Sequence, residues 1–117
     1  MFFERAYGLV KTMASFAEVL ESVPVGKSVW FHNDKHPCYW LVIRPDRTEP
    51  EWIVLSSTQV EGSYLREAPK PCDEEFIKLL SSLGTPDGLF HHTDTTNEDW
   101  YIERHVSNLW TITKAPY

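Results

Sequence analysis

The chain has 117 residues, 42% hydrophobic and 24% charged, with five Trp, five Tyr and six Phe: enough for one core, too short for two domains and too apolar for overall disorder. Net charge is −6, and residues 72–103 concentrate it, with eight acidic side chains against Lys78 alone. That argues against a nucleic-acid backbone as partner, because phosphate binding draws on clusters of Lys and Arg, and it admits a basic protein.

Met1-Phe2-Phe3-Glu4-Arg5 lacks the basic start and long apolar core of a secretory signal. No later run approaches the roughly 20 apolar residues of a membrane span. The expectation is a soluble, cytoplasmic protein with Cys38 and Cys72 as free thiols.

Residues 1–12 show no clear period and read as a loosely held N-terminal tail ahead of a single domain over 13–117. Ser15-Phe16-Ala17-Glu18 is a capping-box pattern, and Phe16, Val19, Leu20 and Val23 follow on one helical face until Pro24 and Gly26 end it. A strand over 27–31 comes next, with β-favouring Val29, Trp30 and Phe31. Asn33 to Pro37 is a turn by composition, so a hairpin is expected.

Cys38-Tyr39-Trp40-Leu41-Val42-Ile43-Arg44 is the most apolar extended run and reads as the central strand. Cys38, Trp40 and Val42 fall on one face and Tyr39, Leu41 and Ile43 on the other, so both faces call for burial. Trp52-Ile53-Val54-Leu55 makes a third strand. From Thr58 to Pro71 the pattern is mainly loop. Asp73-Glu74-Glu75 opens a second helix with negative charge at its N-terminus; Phe76, Ile77, Leu79, Leu80 and Leu83 form its stripe, and Gly84 stands at the expected C-terminal cap. Strands over 88–93, 99–104 and 109–114 complete a second meander.

The predicted fold is therefore α+β, an antiparallel sheet of five to six strands with two amphipathic helices in the order α-βββ-α-βββ. This order has the form of an internal duplication. The halves share no convincing residue pattern, so the expectation is architectural coincidence.

Gly26-Lys27-Ser28 invites a phosphate-loop reading, but Glu21 occupies the position of the required earlier glycine and a strand, not a helix, follows. Five histidines fall as His32 and His36, His91 and His92, and His105. With Cys38 and Asp94 they are the right types for zinc, yet adjacent His91 and His92 point to opposite faces of a strand, so no metal site or cofactor is assigned. Cys38 in a buried strand is a poor nucleophile. Asp94-Thr95-Thr96-Asn97-Glu98-Asp99 is rich in oxygen but lacks the glycine and distant glutamate of an EF-hand loop, and reads as a polar hairpin loop.

These residues point to a non-catalytic protein-binding module of the inhibitor or immunity type acting on a basic protein. Asp94, Glu98, Asp99, Tyr101 and Glu103 are the candidate partner-binding residues. The alternatives are a small metal-binding protein or enzyme using His32, His36 and His91, and a structural subunit completed as a homodimer across an uncovered sheet face.

Overall fold

The stripe beginning at Phe16 becomes a helix because its first turn is capped from both sides. In the computed structural model, which describes residues 15–58 and 69–115, the Ser15 hydroxyl and amide both donate to the Glu18 carboxylate, at 3.0 and 3.5 Å, at the start of α1 (Phe16–Glu21). The chain continues through β1 (Ser28–His32), β2 (Tyr39–Ile43), β3 (Glu51–Ser57), β4 (Lys70–Pro71), α2 (Glu74–Ser82), β5 (Gly88–Thr93), β6 (Asp99–Val106) and β7 (Leu109–Lys114). The tail expected over 1–12 lies outside the described residues.

At α2 the Asp73 carboxylate accepts from the Glu75 amide at 3.0 Å. The helix leaves through Leu83 in extended backbone, so Gly84 is not the left-handed cap its position suggests. A left-handed glycine does occur at Gly26, φ 77°, where the amide donates to the Arg44 carbonyl at 2.8 Å. That turn ties α1 to the β1–β2 hairpin and uses the Gly26 amide a phosphate loop would need.

The strands among the described residues form one seven-stranded mixed sheet in the order β4-β1-β2-β3-β7-β6-β5. This corrects the expected antiparallel sheet of five to six strands. The extra strand is β4, in which Lys70 and Pro71 pair in parallel with Phe31 and His32, and the Cys72 amide then donates to the His32 carbonyl at 2.8 Å. Pro71 is tolerated because β4 is an edge strand. The run expected to be central, β2, is the middle of its own meander, whereas β3 is the middle of the sheet.

Both helices cover one face. There the alternation of the strands buries Trp40, Val42, Trp52, Val54, Trp100, Ile102, Trp110 and Ile112 against Phe16, Val19 and Leu20 of α1 and Phe76, Ile77 and Leu80 of α2. Each such side chain removed from water contributes about 1.5–3 kcal/mol.

The repeated order of elements carries a two-fold correspondence in space. Trp52 pairs with Ile112 and Val54 with Trp110 across β3 and β7, so a two-fold rotation between these strands exchanges Trp52 with Trp110 and Val54 with Ile112. The flanking ladders keep the correspondence: Val42 pairs with Val54 as Ile102 does with Ile112, and Phe31 pairs with Trp40 as His92 does with Trp100. Side chains repeat it too. Phe16 meets Trp100 edge-on at 5.7 Å and Phe76 meets Trp40 edge-on at 5.6 Å, while Trp52–Trp100 and Trp40–Trp110 lie at 5.5 and 5.6 Å. Each helix thus packs its phenylalanine on the meander of the other half.

Candidate functional site

The β5–β6 hairpin ends the sheet, and its alternation decides which predicted residues face outward. Asp99, Tyr101 and Glu103 share the side of β6 away from the helices. The register sets His91 opposite Tyr101, with ring centroids 5.2 Å apart, and Leu89 opposite Glu103. Leu89 is 68% exposed and Tyr101 42%. Asp99 accepts from the Thr93 hydroxyl at 2.7 Å and faces His91 Nε2 at 3.2 Å. The result is an apolar and aromatic patch rimmed by carboxylates.

Asp94 is not part of it. The structure turns this residue inward, 7% exposed, and its carboxylate builds the hairpin loop. Oδ1 accepts from the Thr96 amide and hydroxyl and from the Glu98 amide at 2.7–3.0 Å, and Oδ2 accepts from the Trp100 indole at 2.9 Å. Burial alone would raise the carboxyl. The hydrogen bonds from Thr96, Trp100 and Glu98 outweigh it and hold the group down at about 2.

Glu98 lies on the helix side. Its carboxylate pairs with Lys114, which also reaches Glu21 of α1 at 3.0 Å and sits 5.5 Å from the centre of the Trp100 ring. Its hydrogen bond to Glu98 raises the lysine, against the opposing effect of burial. Much of the acidic segment is likewise occupied internally. Glu74 bridges Lys35 and Lys78 at 3.3 Å each, and Glu75 accepts from the Phe16 amide at 3.2 Å, joining the two helices.

The histidine neighbourhood does not assemble. β1 and β5 are separated by five strand spacings, about 24 Å at roughly 4.8 Å each, so His32 and His91 cannot share a ligand. Among the described residues no three His, Cys, Asp or Glu side chains converge as a metal would need. Cys72 is buried, and burial followed by the nearby Asp73 charge pushes its thiol up to about 12, which keeps it protonated and unreactive.

A feature with no counterpart in the sequence reading is a cleft of about 270 Å³ beside the Trp40–Trp110 pair. Cys38 and Ser56 line it from the sheet, Ile77 and Ser81 from α2, and Arg104 closes it. Cys38, expected to be buried, is only half-buried here. The Arg104 guanidinium donates to the carbonyls of Leu83, at 2.7 Å, Gly84 and Ser107, while its Nε has no acceptor. The signal that would have led here is the recurrence of Trp40-x-Val42 and Trp52-x-Val54 as Trp100-x-Ile102 and Trp110-x-Ile112.

No protein-family model matches the chain, and neither the curated proteins nor the solved structures compared with it provide a match.

Proposed function

We propose that the protein is a non-catalytic binding module of the inhibitor or immunity type, whose β5–β6 edge receives a basic protein. The observation that carries this reading is the adjacency of Leu89 and Tyr101, both exposed, to Asp99 and Glu103 on one face of the hairpin. Aromatic and aliphatic side chains supply contact area, and carboxylates at the rim steer a cationic surface toward it. Asp94 and Glu98 hold the hairpin in shape.

The test is affinity capture from host lysate at low and raised salt, with the wild-type chain beside a Leu89→Ser, Tyr101→Ala, Glu103→Gln variant. A basic protein held by the wild type, lost at raised salt and absent from the variant supports the reading. Equal recovery by both chains, or no specific protein, removes it.

A second reading concerns the face of the sheet away from the helices. Trp30, Leu41, Ile43, Ile53, Leu55 and Leu109 lie there, each half-buried. Such a face favours self-association into a homodimer. Sedimentation that stays monomeric from micromolar to near-millimolar concentration rules this out.

A further inference from the structure

The two-fold correspondence places a second site opposite the cleft, and the two have diverged. Under the rotation Cys38 corresponds to Glu98, Ser56 to Lys114 and Trp40 to Trp100, and counting five residues on from the matched Phe76 and Phe16 sets Ser81 against Glu21. In the second half these positions are filled by the chain itself: the Lys114 ammonium lies over the Trp100 ring between Glu98 and Glu21. In the first half they are a thiol and two hydroxyls, and the space that the lysine occupies elsewhere stands open as the cleft. The fold can close this site with its own side chains, and on this side it does not.

Hydrogen bonding diverges in the same way. In the closed half the Trp100 indole donates to Asp94 and the Trp52 indole to the Leu20 carbonyl at 2.7 Å. Their counterparts Trp40 and Trp110, each 3% exposed, have indole N–H groups with no acceptor. Asn33 stands where Asp94 does, but its amide nitrogen donates to the Cys72 carbonyl at 2.9 Å and offers Trp40 nothing. With Arg104 Nε, three unsatisfied donors belong to residues lining one cleft, and no lining residue is a carboxylate.

We propose that the cleft between Trp40, Trp110 and Arg104 is a binding site for a small organic carboxylate. Its volume equals about nine waters at roughly 30 Å³ each, which sets the ligand at that order of non-hydrogen atoms. A carboxylate supplies a countercharge to Arg104, which three carbonyls hold in place and which no carboxylate lining the cleft offsets. A planar body lies over the Trp40 ring as the Lys114 ammonium lies over Trp100. Ser56 and Ser81 set the size limit, since longer residues at the corresponding positions fill the space. This site is distinct from the proposed protein-binding edge and stands without it.

Benzoate, with nine non-hydrogen atoms, is the probe, titrated into nitrogen-labelled protein and followed at the indole N–H signals. The expected result is saturable movement of the Trp40 and Trp110 signals, with those of Trp52 and Trp100, already bonded internally, unmoved. Benzylamine and benzyl alcohol should bind at least tenfold more weakly. A Cys38→Glu, Ser56→Lys, Ser81→Glu variant, which copies the filled site, should lose benzoate affinity at least tenfold. No movement of the wild-type signals at about 10 mM benzoate, tenfold above a millimolar dissociation constant, overturns the proposal. So does uniform movement of all four indoles, or binding of benzylamine equal to that of benzoate.

Discussion

Asp94 and Asn33 occupy corresponding turns and perform the same local task. Each side-chain oxygen accepts the amide two residues on, from Thr96 and Lys35, at 2.8 Å, and each carbonyl accepts the third, from Asn97 and His36, at 3.0 Å. Only Asp94 also satisfies a tryptophan. Asp94→Asn should therefore destabilise the protein by about 1–3 kcal/mol in urea unfolding at neutral pH, because the Trp100 indole then meets an amide nitrogen and loses its acceptor. The carboxyl is held below its usual 3.8, at about 2, so its contribution is complete above 3.8 and disappears as pH falls through about 2. Wild-type unfolding midpoints should drop across that window by more than those of Asp94→Asn. A companion contrast is Trp52→Phe against Trp40→Phe. The first removes a hydrogen bond to Leu20 and the second removes none, so urea midpoints should show Trp52→Phe as the costlier by about 1 kcal/mol.

At the scale of elements, the parts legible in the sequence are those whose signals are local. The capping pattern at Ser15, the acidic opening at Asp73 and the alternation around Trp100 each specify their element from a few neighbours. β4 was illegible because Pro69 and Pro71 carry a loop signature, and its pairing depends on where β1 presents the His32 carbonyl. The two-fold correspondence was illegible because the β2–β3 and β6–β7 loops differ in length, which breaks any fixed spacing between tryptophans. The cleft escaped for a further reason: Cys38, Ser56 and Ser81 acquire meaning only against Glu98, Lys114 and Glu21. Within β5 one position is tightly specified. A Cβ at Gly88 would lie 2.7 Å from the Phe90 ring, so Gly88→Ala should lower the thermal midpoint, with a cost of about 1–3 kcal/mol from overpacking.

For the whole molecule, the exchange of helices between halves is the decisive feature. α1 belongs by sequence to the first meander, yet Phe16 packs on Trp100, and Phe76 of α2 packs on Trp40. Neither half owns a complete core. Peptides spanning 15–58 and 69–115 should each lack native circular dichroism alone, whereas the intact chain should unfold in one transition seen identically by tryptophan fluorescence and far-ultraviolet dichroism. A stable isolated half would show that the shared aromatic contacts are not what holds the molecule together.

The same exchange constrains the order of events on the ribosome. α1 emerges early, but the surface that receives Phe16 includes β6, which is not synthesised until about 80 residues later, several seconds at roughly 5–20 residues per second. Through that interval Phe16 of α1 and Trp40 of the β1–β3 meander lack the partners that cover them, and the early half is exposed to aggregation and to chaperone capture. Slowing elongation should lengthen this exposed period and lower the soluble yield.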